Sequence, residues 1–173
     1  MSEVSAVSQP FLKDLFALEE RVAVVTGATG VLGGAVARGL ARVGGRVGVL
    51  GRRKNRATSL AEELGASEGR ALALAADVLD KERLETTREA VLERWGRVDV
   101  LVNVAGGNLP GATVGEGQSF FGISCEAFSE VFDLNLLGTV MPTQVFGEAM
   151  VGDAEPWRNG GIGVGLGGNF NDL

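Results

Sequence analysis

Histidine is missing from all 173 residues, and cysteine occurs once, at Cys125. Without histidine, neither a zinc-dependent dehydrogenase centre nor a Ser-His-Asp hydrolase is expected, and no metal site is assigned. A lone cysteine allows no internal disulfide, so a reducing compartment is the default reading. No apolar run reaches membrane-spanning length. The amino terminus, MSEVSAVSQPFLKDLFALEE, has no basic region leading into a long apolar core. No membrane contact and a cytoplasmic location are therefore expected. The net charge is −6 with no basic face, which argues against a nucleic-acid partner. No Gly-Lys-Ser or Gly-Lys-Thr follows a glycine turn, so a nucleoside triphosphatase loop is not indicated. Glycine, by contrast, is plentiful, at 27 residues, and 45% hydrophobic content is ordinary for an α/β protein with one real core.

The chain is organised around Arg21 to Gly45, RVAVVTGATGVLGGAVARGLARVGG. Val22 to Val25 is a short, β-branched apolar run, the pattern of a strand buried on both faces. Thr26-Gly27-Ala28-Thr29-Gly30 is a turn, and Val31 to Val43 carries apolar side chains at helical spacing until Gly44-Gly45 stops it. Strand, glycine turn and helix open a dinucleotide-binding unit. Glycines let backbone N–H groups approach a pyrophosphate, the helix start adds positive potential, and Gly33-Gly34 let the helix lie close to the sheet. The expected contacts are Gly27, Thr29, Gly30, Val31, Leu32 and Gly33. A plain strand-to-helix turn would show the same glycines.

The pattern then repeats. Strands are expected over Arg46–Leu50, Ala71–Ala76 and Val98–Asn103, with helices over Ala57–Leu64 and from a cap at Asp80 to Trp95. Residues 1–18 read as a leader packing Phe11, Leu12, Leu15 and Phe16 against the domain. A glycine-rich loop spans Ala105–Ile123, long enough to be functional or disordered. Ser124 caps a helix to about Val151, with a kink at Pro142. Residues 19–151 form the domain, and 152–173 a glycine-rich tail. Within that tail Ile162, Val164 and Leu166 alternate with glycine, and both a poor fifth strand and an irregular segment fit. Alternating strands and helices predict a doubly wound parallel sheet, three layers deep as α/β/α, with ligands at the carboxyl ends of the strands.

Those ends carry candidate site residues. Arg52 and Arg53 follow the second strand, where an acidic residue would bind a ribose 2′-hydroxyl and arginine instead suits a 2′-phosphate. The cofactor expected is therefore NADP, with NAD as the alternative; a solvated basic loop reads the same. Asp77, beside Val78, can accept from an adenine amine or serve as a turn residue. Asn103, Ala105 and Gly106 lie where a cofactor ribose would cross. Asn135 sits in the apolar helical run VFDLNLLG, where a buried amide needs partners.

Thr26-Gly27 with Gly30 and Gly33, Asp77-Val78, the NVAG of Asn103 to Gly106, and LNLLGT around Asn135 resemble the short-chain dehydrogenase/reductase family in order and spacing. The resemblance covers about Leu15 to Val151. LGR at the second strand end, NVAGGNLPGATV and VFDLNLLGTVMPTQVF look like its D-mannonate oxidoreductase (fructuronate reductase) subgroup. The resemblance implies a Rossmann-type sheet, a nicotinamide cofactor and hydride exchange between alcohol and ketone, here a sugar acid. It also implies a catalytic Asn, Ser, Tyr and Lys, and Asn135 stands at the first of these. Tyrosine is the family's acid/base, yet this sequence contains none, and its lysines are Lys13, Lys54 and Lys81. If GIGVGLGG is the fifth strand, glycine occupies the serine position. Val31 stands where the usual pattern has its middle glycine, with Gly30 one place earlier. The expectation is a cofactor-binding portion cut short before the catalytic residues and the last strands and helices. It should be inactive alone, unable to bind substrate fully and prone to self-association. A non-catalytic NADP-binding regulator is the alternative.

Overall fold

Val22–Thr26 forms β1, every residue of it buried, because its side chains feed two cores at once. The computed structural model describes residues 15–117 and 119–151 and the backbone of 162–164. After β1 come α1 (Val31–Arg42), β2 (Arg46–Gly51), α2 (Lys54–Glu63), β3 (Ala71–Ala75), α3 (Lys81–Trp95) and β4 (Val100–Asn103). Helix α4 (Cys125–Phe132), a π turn (Asp133–Leu137), α5 (Gly138–Val151) and β5 (Ile162–Val164) complete the order.

The sheet runs β3-β2-β1-β4-β5, all parallel. From β1 the chain steps outward to β2 and β3, then returns to β1's other side for β4. That reversal opens a crevice at the carboxyl ends of β1 and β4. Side-chain alternation divides the core. Val22, Val24, Leu50 and Leu101 meet Leu84 and Val91 of α3 and Val145 and Phe146 of α5. Val25, Val47 and Val49 meet Ala37 of α1 and Ala57, Leu60 and Ala61 of α2. The result is three layers, α/β/α. Each fully buried Val or Leu contributes about 1.5–3 kcal/mol.

Local chemistry sets the element ends. Asp80 accepts from the Arg83 N–H at 3.0 Å to start α3, and Ser124 accepts from the Ala127 N–H at 3.2 Å to start α4. Gly96 ends α3 at φ 75°. At the far end of the sheet Asp99 accepts from the Val22 N–H at 2.9 Å and pairs with Arg21 and Arg97, tying β4 to the start of β1.

Three expectations need correction. Leu15 and Phe16 are 61% and 59% exposed, so these leader residues do not pack on the domain; Phe11 and Leu12 lie outside the described residues. Helix α2 begins at Lys54, three residues before the expected Ala57, because polar Lys54, Asn55 and Arg56 extend its solvent side. The helix expected to run without interruption from Ser124 to Val151 is divided, while Pro142 lies buried within α5. The division falls earlier, at the π turn.

Candidate functional site

Gly27 follows β1 at φ 64°, and a Cβ there would stand 2.7 Å from the Ala105 nitrogen. No other residue allows both that dihedral and that approach. A Cβ on Gly33 would fall 2.3 Å from the Gly27 carbonyl oxygen, so the glycine lets α1 press against the turn. Gly30 caps α1 without any side-chain hydrogen bond. The amides of Val31, Leu32 and Gly33 in that first turn have no carbonyl one turn back to bond. Val31 and Leu32 are 95% and 60% exposed at this rim. Donors of fixed position and a helix dipole thus converge on one point, the requirement for a bound diphosphate.

A cleft of about 430 Å³ runs across these strand ends. Gly27, Thr29, Gly30, Val31, Leu32 and Gly33 form its centre, Arg52, Arg53, Asp77 and Val78 one end, and Ala105, Gly106 and Leu134 the other. Thr29 packs on Gly51, where a Cβ would come within 2.7 Å of its methyl group, closing the turn onto β2. A smaller hollow of about 310 Å³ lies between α1 and α2, its wall crossed by the Arg38–Glu63 ion pair. It shares only Thr29 and Gly30 with the cleft.

Asp77 does two things. One carboxylate oxygen accepts from the Leu79 N–H at 3.1 Å, and the other lies 3.8 Å from the Arg52 guanidinium. Arg52 is 72% exposed and free to turn toward a ligand.

Asn103 is the one expected contact that the structure keeps out of the cleft. It is buried, and its amide donates to Thr143 Oγ1 at 3.0 Å, while its oxygen is buried without a partner. Asn135 is exposed rather than buried, and its amide is fully used. Its Nδ2 donates to the Gly107 and Val131 carbonyls at 3.0 and 2.8 Å, and its Oδ1 accepts from the Gly107 N–H at 3.0 Å. Thr26 has a role the motif alone did not assign. Fully buried, its Oγ1 accepts from the N–H groups of Val104 and Ala105 at 3.1 and 3.2 Å, turning the chain after β4 toward Gly27. Its place between an apolar strand and a glycine was the only signal. Among the described residues no His/Cys/Asp/Glu group could hold a metal, and no helix is long and apolar enough to cross a membrane.

The family model for short chain dehydrogenase matches residues 21–161. "Uncharacterized oxidoreductase UxuB" of Bacillus subtilis (strain 168) is 42% identical over 142 residues, covering 78% of this chain and 51% of its own. "D-threitol dehydrogenase" of Mycolicibacterium smegmatis is 32% identical over 136 residues, covering 79% and 50%. Among solved structures, a candidate D-mannonate oxidoreductase from Haemophilus influenza with bound NAD superposes with a TM-score of 0.73 at 32% identity. That match covers 82% of this chain and 54% of the other. The chain spans about half the length of the curated relatives it matches.

Proposed function

The chain belongs to the short chain dehydrogenase family, and on that premise we propose that it is the nicotinamide-dinucleotide-binding portion of an alcohol/ketone oxidoreductase. One observation carries the reading. The turn at Gly27 and the start of α1 offer unpaired amides to a cleft that also gathers Arg52, Asp77 and Ala105. The pyrophosphate would lie at the Val31–Gly33 amides, the adenosine toward Arg52, Arg53, Asp77 and Val78, and the nicotinamide half toward Ala105, Gly106 and Leu134. When bound, the cofactor supplies hydride acceptance and donation at its nicotinamide ring. The chain's own residues bind it, orient it and wall one side from water.

We place NADP ahead of NAD as the ligand, because Arg52 and Arg53 stand at the ribose end and arginine matches a 2′-phosphate. The substrate class we propose is a sugar acid or related polyol, following the names carried by the relatives. Asn135 would be the chain's one member of the family's catalytic set. With no tyrosine in the sequence, the proton has no donor of the family's kind, so turnover by this chain alone is not expected. The second reading is a non-catalytic NADP-binding regulator. A partner protein binding in NADP⁺ but not in NADPH would select it.

Calorimetry with NADP⁺ and NAD⁺ tests the proposal. Binding of either, with Arg52→Glu weakening NADP⁺ at least tenfold and NAD⁺ little, is the expected result. No heat with either nucleotide at millimolar concentration overturns it. NADPH oxidation by the pure chain with a keto-sugar acid would overturn the inactivity.

A further inference from the structure

Three residues spaced four apart, Asn135, Thr139 and Thr143, are linked by hydroxyl-to-carbonyl hydrogen bonds along the π turn and α5. Thr143 Oγ1 donates to the Thr139 carbonyl at 2.7 Å, and Thr139 Oγ1 donates to the Asn135 carbonyl at 3.0 Å. Each end of the series reaches the segment after β4. At one end the Asn103 amide donates to Thr143 Oγ1 at 3.0 Å. At the other the Asn135 side chain holds both backbone groups of Gly107. Asn103 and Gly107 are four residues apart in the chain, so the bonds close a ring around Val104, Ala105 and Gly106.

We infer that Thr143 is a positioning residue of the cleft: through the ring Asn103–Thr143–Thr139–Asn135–Gly107 it sets where the Ala105–Gly106 wall stands. The inference rests on the dinucleotide reading of the cleft. Thr143 touches no part of the cleft itself. Its hydroxyl accepts from β4's last residue while donating into the helix that carries Asn135. The wall is fixed on its inner side by Thr26, which accepts from the Val104 and Ala105 N–H groups. The outer ring holds the two ends of the wall, at Asn103 and Gly107, and the inner clip its middle. The wall faces the nicotinamide half of the proposed ligand, whereas the adenosine half meets residues from β1, β2 and β3. Loss of Thr143 should therefore be felt by a dinucleotide and not by a mononucleotide.

The test uses the full chain and separates placement from stability. Thr143→Val removes the hydroxyl and strands the buried Asn103 amide, so it lowers Tm for reasons unrelated to placement. The double variant Asn103→Leu/Thr143→Val removes both polar partners and should recover most of that Tm. Thr143→Ser keeps the hydroxyl and should behave as the parent. In the ligand-free protein, amide exchange over residues 104–108 should quicken at least fivefold in the double variant. NADP⁺ or NAD⁺ affinity should fall at least fivefold while 5′-AMP affinity stays within twofold. Unchanged exchange over 104–108, or equal losses for dinucleotide and AMP, overturns the positioning role. A parent chain that binds no dinucleotide, yet shows the exchange change, overturns the dinucleotide reading and leaves the ring's hold on the wall standing.

Discussion

The side-chain amide of Asn135 and the main chain of Gly107 bond to each other in both directions, Nδ2 to O and N to Oδ1, each at 3.0 Å. The clamp has a steric condition. A Cβ on the intervening Gly106 would sit 2.7 Å from Asn135 Oδ1. Gly106→Ala should open it, lowering Tm and weakening dinucleotide binding. Gly122→Ala, with nothing within 4 Å of the new methyl, is the control and should leave both unchanged. Differential scanning fluorimetry with and without NADP⁺ reads the pair.

Glycines of α1 divide the same way. Gly33→Ala forces a Cβ to within 2.3 Å of the Gly27 carbonyl oxygen, so helix and turn must separate. We expect at least tenfold weaker NADP⁺ binding by calorimetry. Gly39, in the same helix, has nothing within 4 Å. Gly39→Ala should stabilise by about 0.5–1 kcal/mol in urea denaturation, as helix propensity alone dictates.

Thr26→Val conserves shape and deletes an acceptor. The Val104 and Ala105 N–H groups would lose their shared partner, at about 1–3 kcal/mol for each donor left buried. Equilibrium unfolding should show a drop of that order, and Thr26→Ser should recover most of it.

Acid sensitivity should centre on Asp99, whose side chain is 10% exposed. Burial pushes its carboxyl up, but hydrogen bonds from Arg97, the Val22 N–H and Arg21 outweigh it and hold the group below the ordinary carboxylate range. With the folded value depressed, the folded state binds fewer protons than the unfolded one. The contribution is present above the unfolded value, about 3.9, and is lost as pH falls through the folded one. Asp99→Asn should cost about 1.5–3 kcal/mol near neutrality. It should also flatten the fall in stability below pH 5, as urea midpoints across pH would show.

Exposed aromatics carry the expectation of self-association. Phe121 is 95% exposed and Phe132 64%, with Phe120 meeting Phe121 and Phe128 edge to face at 6.0 and 6.1 Å. Patches of this kind favour association. Sedimentation velocity should show concentration-dependent oligomers that Phe121→Ser reduces.

The strands themselves and the glycine turn were legible because buried parallel strands leave unbroken apolar runs and a phosphate turn needs glycines at fixed places. Local patterns could not place Asn103. Its position at the end of an apolar strand suits a cleft contact, and only the approach of Thr143 from α5 shows it turned inward. The leucines beside Asn135 suggest burial, but it lies in the π turn with its side chain exposed. Proline advertises a break in sequence, whereas a widened turn has no such residue. Pro142 fits inside α5, and the distortion lies upstream of it.

The widened turn at Asp133–Leu137 closes from the Gly138 N–H to the Asp133 carbonyl, one residue more than an α-helical ring holds. Deleting a single residue there would let the backbone anneal into an unbroken helix, with little penalty in main-chain bonding. The widened turn holds its extra residue within one turn, so the helix beyond would keep its phase and Thr143 its place beside β4. Length at this point is thus nearly silent both in the main chain and in the phase of the helix beyond it. Homologues differing by one residue here would keep the helix and Thr143 on Asn103, with the change confined to the turn that carries Asn135.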